Sequence, residues 1–383
     1  MLPFLATYLT KVWGPFRLLG SYLVLMGVGS TAGALLCWYL LPKLWDHLPH
    51  DRGKVLVEGS EKAKGKPTGA GVLVVSFIML VLAFVMPMSL RMLGVMGCLF
   101  AVMLTGYLDD ASKFPWSESK KGVLDVVIVV MTAVCFTELQ PMRIWVPFVK
   151  DELYMDWWWY VPIAAFLLFV CINAVNCSDG VDGLAGSLSI MTLVCMGIFL
   201  YAVIGHNVMA DYLNVPHYGS GAQWALLAFV SAGVFAGYLW HNAYPSSVMM
   251  GDAGSRYLGL LIGVCAMASG NLFMFLAVAP ILIINGGTGL VKLLILRFLR
   301  KLNFDTRMPI TNVKNPLKPE NFASEEEAKK QIWIVRMLHS VRFPLHDHCR
   351  KKLMWSETQI LVRFMLLQAL LTPLLFLLFI KLR

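Results

Sequence analysis

The sequence predicts an all-α polytopic membrane protein, because its composition and its long apolar runs both indicate membrane-spanning helices. Hydrophobic residues make up 58% of the 383 residues and charged residues only 14%, against roughly 45–50% and 25% in ordinary soluble proteins. A water-soluble fold of this length cannot enclose so much apolar surface. The composition therefore excludes a soluble enzyme, a disordered regulator and a secreted disulfide scaffold.

About ten apolar stretches are long enough to cross a bilayer as helices, which takes about 20 residues each. The eighth and ninth stretches are separated by only three residues, so they could form one long broken segment. Adjacent glycines at Gly286 and Gly287 predict a kink in the ninth. The predicted spans lie near 18–41, 70–88, 92–108, 123–139, 157–175, 187–205, 222–240, 254–270, 271–291 and 359–380.

The basic residues predict the orientation of these spans. Of the 32 Lys and Arg residues, 24 lie in or beside the connections after the first, third, fifth, seventh and ninth spans, 14 of them in the last. Because cytoplasmic loops carry an excess of basic residues, this side is predicted to be cytoplasmic and both termini periplasmic. The net charge of +9 requires no nucleic acid partner, since anionic lipid or a phosphate-rich substrate would balance it equally well.

The domain organisation follows from the same pattern. Residues 1–383 are expected to form a single integral membrane domain, and 300–357 a long cytoplasmic loop within it. In that loop, Ser324 precedes three glutamates, a pattern that predicts a capped helix.

Polar residues retained at the ends of membrane spans indicate function, because a charge in hydrocarbon is costly. The third span ends with Asp109 and Asp110. Adjacent carboxylates repel each other, so they suit a site where a divalent cation or a proton compensates them. The alternative is a solvated helix end among lipid headgroups.

A second polar cluster ends the fifth span, where Asn173, Asn176, Asp179 and Asp182 recur every three residues. On a continuous helix Asn173 and Asp182 would face opposite ways, so the nearby glycines predict that the helix ends and the chain wraps around a polar object. A nucleotide base, a ribose or a metal would fit. A well-capped loop is the alternative.

The third cluster runs from His241 to Ser255, between the seventh and eighth spans. Asp252 lies between Gly251 and Gly254, which favours close approach of the backbone to a ligand and backbone N–H groups directed at a phosphate. The alternative, that Asp252 or Ser255 caps the eighth span, is compatible with that function.

The fourth cluster is Pro344-Leu-His346-Asp347-His348, in a basic stretch before the last span. Two histidines at this spacing are weak support for a metal site, and exposed histidines are usually solvated. Basic residues on the same predicted face make an anion-binding surface plausible. They are Lys64, Lys66, Lys113, Lys120 and Lys121.

Together, carboxylates, lysines and histidines at one membrane face suit an Mg²⁺-dependent phosphoryl transfer, which requires charge neutralisation on a pyrophosphate. A membrane-embedded enzyme would be needed if one substrate were a lipid.

Three long motifs resemble the polyprenyl-phosphate N-acetylhexosamine-1-phosphate transferases. They are Gly-Tyr-Leu-Asp-Asp, Asn-Ala-Val-Asn-Cys-Ser-Asp-Gly-Val-Asp-Gly-Leu-Ala and Asn-Ala-Tyr-Pro followed by Met-Gly-Asp-Ala-Gly-Ser. The stretch Pro-Leu-His-Asp-His, with Trp-Ser-Glu-Thr-Gln after it, is similar to the lipid I-forming branch, the phospho-N-acetylmuramoyl-pentapeptide transferases. The resemblance extends from about Lys64 to the tenth span, in the family's motif order.

The resemblance implies an enzyme of the bacterial inner membrane that acts in peptidoglycan synthesis, with its active site facing the cytoplasm. Undecaprenyl phosphate would attack the sugar-linked phosphate of UDP-N-acetylmuramoyl-pentapeptide, forming lipid I and releasing UMP. Mg²⁺ would be the cofactor. The protein would be surrounded by membrane lipid, and a homodimer is possible.

The resemblance also implies roles for individual residues. Asp252 would be the Mg²⁺ ligand and a catalytic residue, and Asp109, Asp110 and His346 would be catalytic as well. Asp109 and Asp110 would position the metal or the lipid phosphate, and one of them would take its proton. The expected substrate-binding residues are Lys64, Thr68, Lys113, Lys121, Asn173, Asn176, Asp179, Asp182, Asn242 and His348.

The sequence departs from the family pattern at several places. The family's three consecutive histidines are replaced by His346-Asp347-His348, which alters the role of the middle residue. The usual Pro-Thr-Met-Gly-Gly reads Pro67-Thr-Gly-Ala-Gly, and the family lysine five residues before Thr68 falls on Ala63. About 25 residues near 315–340 form an unusual insertion.

Two rival functions are distinguishable from this one. A sister transferase that uses UDP-N-acetylglucosamine would share the aspartate clusters but not the Pro-Leu-His-x-His and Trp-Ser-Glu motifs. A membrane transporter would carry its polar residues near the middle of the spans, whereas here they lie at one face.

Overall fold

A computed structural model describes residues 1–51, 64–114, 116–149, 151–310 and 322–381. It confirms an all-helical polytopic membrane protein. Within the described residues, ten helices have fifteen residues or more. They are α2 (Tyr22–Leu44), α3 (Gly71–Val85), α4 (Leu90–Ala111), α5 (Glu118–Thr137), α6 (Trp157–Ser178), α7 (Leu184–Phe199), α9 (Gly221–Asn242), α10 (Gly251–Ala268), α12 (Pro280–Lys301) and α16 (Glu357–Lys381).

The remaining elements are short and connect the long helices. A π-helical turn, Leu200–Ile204, extends α7. A two-stranded antiparallel hairpin pairs β1 (Met142–Ile144) with β2 (Leu153–Met155). The short α-helices are α1 (Leu2–Leu9), α8 (Asn207–Tyr212), α11 (Met274–Val278), α13 (Glu325–Lys330), α14 (Trp333–Ser340) and α15 (Leu345–Lys351), and two 3₁₀ helices span Gly14–Gly20 and Trp45–His47.

Seven of the long helices are long and apolar enough to cross a membrane, namely α2, α4, α6, α7, α9, α12 and α16. The helix α3 is apolar but has only 15 residues. The helices α5 and α10 do not belong to this group, because each carries charged side chains in its first turns. Each predicted span overlaps one of the ten long helices, whereas the positions of both termini relative to the membrane stay a prediction.

The central helix of the bundle is α10, in which every residue from Ala253 to Ala268 is buried. It packs against α3, α4, α6 and α7. Because α10 begins with Gly251 and Asp252, its buried position places a carboxylate at the centre of one end of the bundle.

The predicted ninth span, 271–291, is wrong at both ends. After α10 ends at Ala268, Gly270 takes a left-handed conformation with a φ of 72°, and the five-residue α11 follows. The long helix α12 begins only at Pro280 and continues to Lys301. It runs unbroken through Gly286, where an added Cβ would collide with the backbone of α6 at Ala174.

The predicted capped helix in the long loop is confirmed as α13. The Ser324 hydroxyl accepts a hydrogen bond from the Glu327 backbone N–H, and the Glu327 carboxylate accepts one from the Ser324 backbone N–H. Residues 315–321 of the predicted insertion lie outside the described residues.

The break between α11 and α12 is bridged by Gln368 of α16, whose side chain is fully buried. Its Nε2 donates to the carbonyl oxygen of Val278 at 2.7 Å and to the Thr192 hydroxyl at 3.2 Å. Its Oε1 accepts from the backbone N–H of Ile281 at 3.0 Å. Backbone groups freed by a helix break need such partners inside a membrane.

Replacing Gln368 by Leu is expected to lower the free energy of unfolding by about 1–2 kcal/mol, because the backbone N–H of Ile281 loses its acceptor, whereas the Val278 carbonyl still accepts from the Thr372 hydroxyl at 3.2 Å. Reversible unfolding in mixed detergent micelles measures this. The control is Leu367→Ala, at a side chain that is 44% exposed on the same helix. A Gln368→Leu variant as stable as the control variant would contradict the bridging role.

Candidate active site

A cavity of about 2010 Å³ lies at one end of the bundle. Many of the residues that line it lie near the C-terminal ends of α4, α6 and α9 and near the N-terminal ends of α5 and α10. The predicted site residues that line it are Thr68, Asp109, Asp110, Lys113, Lys121, Asn173, Asn176, Asp179, Asp182, Asn242 and Asp252. The first three polar clusters of the sequence therefore meet in one place.

The acidic centre of the cavity is organised around Lys121, in the first turns of α5. Its Nζ lies 2.5 Å from Oδ2 of Asp109 and 3.4 Å from Oδ2 of Asp252. These two carboxylates therefore lie within about 6 Å of each other, the sum of the two distances. One ammonium group thus joins the end of α4 to the beginning of α10.

The second aspartate of the pair, Asp110, contacts the first turn of α10. Its Oδ2 accepts a hydrogen bond from the backbone N–H of Ala253 at 3.3 Å. Unpaired N–H groups and the helix dipole at a helix N-terminus favour a carboxylate there. Gly251, with a φ of 67°, allows this contact, since an added Cβ would overlap the Asp110 carboxylate.

The close approach of α4 to α10 depends on Gly106. A Cβ at this position would lie 2.6 Å from the backbone N of Ala253 and 2.6 Å from the backbone C and O of Asp252. All three are backbone atoms, which cannot rotate away. The glycine of the Gly-Tyr-Leu-Asp-Asp motif therefore lets the two acidic segments meet.

The second polar cluster lies where α6 ends at Ser178, as expected. Asn173 and Asn176 still belong to the helix. The Asn173 side chain donates to the carbonyl of Phe169 at 2.9 Å, and Oδ1 of Asn176 accepts from the Ser255 hydroxyl at 2.8 Å. Asn176 thus links α6 to α10 while it lines the cavity.

Asn242, at the end of α9, is 4% exposed and holds two loops in position. Its Oδ1 accepts from the backbone N–H of Gly183 at 2.9 Å, and its Nδ2 donates to the carbonyl of Val248 at 2.8 Å. Asp182 accepts from the backbone N–H of Ser246 at 3.0 Å. The second and third clusters therefore support each other.

Three predicted site residues do not line the cavity. Lys64 lies in an exposed turn. His348 accepts a hydrogen bond from the backbone N–H of Arg342 at Nδ1. His346 lies beneath the cavity wall, where its Nε2 faces Gly180.

The surroundings of His346 keep its ring neutral. The side chain is 3% exposed, its backbone N–H donates to Oδ1 of Asn285 at 2.9 Å, and Nδ1 lies 3.2 Å from the same oxygen. Burial lowers the pKa of His346 from 6.5 to about 4. At neutral pH it is therefore an uncharged residue that supports the loop at Gly180.

This lowered pKa makes stability depend on pH. Below pH 6.5 the unfolded chain binds a proton that the folded protein takes up only near pH 4, so folding weakens as the pH falls through this window. At about 1.4 kcal/mol per pH unit, His346 alone is expected to reduce the free energy of unfolding by roughly 3 kcal/mol.

Thermal unfolding of wild type and His346→Asn from pH 7 to pH 4.5 measures this effect, and the variant is expected to lose stability less steeply. His206→Asn, at an exposed histidine, is the control and should follow wild type. Parallel curves for wild type and His346→Asn would contradict a buried neutral histidine.

Charged residues outside the expected catalytic and substrate-binding set also line the cavity. Lys66 lies 3.9 Å from the Asp182 carboxylate and donates to the Ser246 hydroxyl at 3.1 Å. Asp125 and Arg256 lie inside apolar helices, and a charge within an apolar run was the signal that could have revealed them. Arg297 and Arg350 complete the basic lining.

One wall of the cavity is apolar and is formed by α5, α6 and α12. Its residues include Val126, Val129, Phe166, Phe169 and Leu294. The cavity therefore joins a charged region at the helix ends to an apolar region between membrane-spanning helices, so it can accept a polar molecule and a lipid chain together.

Within the described residues, no three His, Cys, Asp or Glu side chains are grouped closely enough to hold a metal ion by themselves. This donor set still fits Mg²⁺, which usually binds one or two carboxylates, several waters and substrate phosphates. Asp109 and Asp252, which share one cation in Lys121, are the carboxylates placed to do so.

Comparison with known proteins identifies the family of this chain. The family model described as glycosyl transferase family 4 matches residues 92–270. The chain is 42% identical over 370 residues to the phospho-N-acetylmuramoyl-pentapeptide-transferase of Treponema pallidum (strain Nichols), covering 96% of this chain and 92% of the relative. It is 26% identical over 363 residues to the protein of that name from Rhodopseudomonas palustris (strain BisA53), covering 90% of each.

The matched segment contains the three acidic motifs, and the similarity to the Treponema protein extends over nearly the full length of both chains. The chain belongs to the phospho-N-acetylmuramoyl-pentapeptide-transferase family.

Proposed function

We propose that the protein transfers phospho-N-acetylmuramoyl-pentapeptide from its UDP conjugate to undecaprenyl phosphate, giving lipid I and UMP in peptidoglycan synthesis. The observation that carries this proposal is the cluster of Asp109, Lys121 and Asp252 in a cavity that is charged on one side and apolar on the other. The transfer needs this combination, because one substrate is a nucleotide and the other a lipid.

Each part of the cavity has a task in this reaction. The apolar wall holds the polyprenyl chain, and the segment from Asn176 to Asp182 holds the nucleotide. An oxygen of the lipid phosphate forms a bond to the sugar-linked phosphorus, the bond to the bridging oxygen breaks, and UMP leaves. A strong base is unnecessary, since the second pKa of a phosphate monoester is about 6.

The cofactor of the proposed reaction is Mg²⁺, which Asp252 would hold together with Asp109 and substrate oxygens. Bound there, the ion would neutralise charge that develops on the pyrophosphate. Without the ion, Lys121 neutralises the same two carboxylates. Asp110 holds the first turn of α10 in position. Lys66 and Lys113 add positive charge where phosphates enter.

The proposed location is the bacterial inner membrane, with the cavity facing the cytoplasm and both termini on the other side. The excess of basic residues in the connections at the cavity end supports this orientation. The nucleotide substrate would then reach the site from the cytoplasm.

Purified protein in detergent tests the proposal. With undecaprenyl phosphate, Mg²⁺ and the UDP-linked muramoyl pentapeptide, we expect UMP and a lipid-linked product in equal amounts, and neither in excess chelator. A lipid product from UDP-N-acetylglucosamine alone would instead make the protein a sister transferase. Ion flux driven by substrate, without UMP release, would make it a transporter.

A further inference from the structure

A buried ion pair lies between α5 and α10 and is not used by the proposed reaction above. Nη2 of Arg256 contacts Oδ1 of Asp125, and the two side chains are only 2% and 5% exposed. Nη1 of Arg256 is buried and has no hydrogen-bond partner among the described residues. A buried guanidinium nitrogen without a partner is costly, so an acceptor for it is missing.

The position of this pair relates it to the acidic cluster. Asp125 follows Lys121 by four residues on α5, and Arg256 follows Asp252 by four residues on α10. Four residues make about one helical turn, or roughly 6 Å. The pair therefore forms a second layer beneath the contact of Lys121 with Asp252, with the signs of the charges exchanged between the helices.

This second layer lies where the lining of the cavity changes from charged to apolar residues. Arg256 and Asp125 both line the cavity, and the apolar wall begins beside them with Val126 and Val129. Arg256 is therefore a basic residue at the boundary between the charged and the apolar parts. A lipid whose chain occupies the apolar part would place a phosphate head at this boundary.

Stability alone does not account for the pair. Apolar side chains of similar volume often replace a buried ion pair at no cost in stability. Arginine instead offers several donors in a planar fork that matches the oxygens of a phosphate. One nitrogen can bind Asp125 while another binds a ligand.

We propose that Arg256 binds the monophosphate head of the polyprenyl phosphate acceptor, and that Asp125 is a positioning residue that orients the guanidinium. This inference rests on the proposed function. Binding would supply the acceptor that Nη1 lacks and hold the lipid phosphate one helical turn from Asp252.

Direct binding tests the inference without turnover. The probes are undecaprenyl phosphate and the uncharged alcohol undecaprenol, added to protein in nanodiscs of neutral phosphatidylcholine. The key variant is Asp125→Leu/Arg256→Leu, which removes both charges and so leaves no unpaired buried ion. We expect at least a tenfold loss of affinity for the phosphate, little change for the alcohol, and nucleotide binding within twofold of wild type.

Two further variants serve as comparisons. Asp125→Asn keeps the guanidinium and should bind the lipid phosphate more tightly than the double variant does. Arg91→Leu/Glu138→Leu removes a different ion pair, between α4 and the end of α5, in which Nη2 of Arg91 lies 2.7 Å from Oε2 of Glu138. It should bind like wild type.

The outcomes separate the two proposals. If wild type binds the phosphate no better than the alcohol, the proposed function fails. If wild type discriminates but the double variant still binds the phosphate within twofold, the role of Arg256 is refuted. Competition by phosphatidylglycerol as strong as that by undecaprenyl phosphate would assign Arg256 to general anionic headgroups and overturn its role in acceptor binding.

Discussion

Replacing Asp252 by Asn is expected to reduce UMP release at least a thousandfold, or about 4 kcal/mol of transition-state stabilisation, while the protein stays folded. The amide has the size of the carboxylate but no charge, so it is a much weaker ligand for Mg²⁺. Lys121 keeps its 2.5 Å contact with Asp109, so the junction between α4 and α5 persists. Steady-state release of UMP at saturating Mg²⁺ measures the effect.

The control for this substitution is Asp211→Asn, at an exposed aspartate on α8. It makes the same chemical change outside the cavity lining and should leave turnover within twofold of wild type. Unfolding in detergent shows whether both variants keep their fold. Turnover of Asp252→Asn within tenfold of wild type would remove Asp252 from the proposed metal site.

The second large effect is expected for Gly106→Ala, which adds a single methyl group. The new Cβ would lie 2.6 Å from backbone atoms of Asp252 and Ala253, so α4 and α10 must move apart. Overpacking of this kind costs about 1–3 kcal/mol. A displacement of about 1 Å between reacting groups can cost a hundredfold in rate, so we expect turnover to fall about a hundredfold.

The matched control is Gly97→Ala on the same helix, where an added Cβ has nothing within 4 Å. Alanine favours a helix over glycine by about 1 kcal/mol, so this variant should be at least as stable as wild type and fully active. Equal activity of both alanine variants would show that the contact at Gly106 does not position Asp252.

The gathering of the acidic segments could be predicted because each lies at the end of an apolar run. Alternate ends of successive spans meet at one membrane face, so Asp109, Asp179 and Asp252 were expected together, and the structure places them in one cavity. The sequence pattern does not show which of the polar side chains bind neighbouring backbone groups. Asn173 and Asn242 form hydrogen bonds to neighbouring backbone, which no spacing rule indicates.

Other features depend on contacts between distant segments and were not predictable. His346 lies beneath the cavity wall because Asn285 and Gly180 enclose it. Arg256 finds its ion-pair partner 131 residues away. The ninth span was misplaced because the apolar stretch continues across the break before Pro280, so hydrophobicity alone could not locate the start of α12.

The bridge formed by Gln368 has a consequence for biogenesis. The break between α11 and α12 is completed by a side chain from the last long helix of the chain. A nascent chain that has inserted everything up to Lys301 still lacks the acceptor for the Ile281 backbone N–H, which hydrocarbon cannot supply. Insertion of the C-terminal helix is therefore the step that closes this half of the bundle, and products truncated before residue 368 should be substrates for membrane quality control.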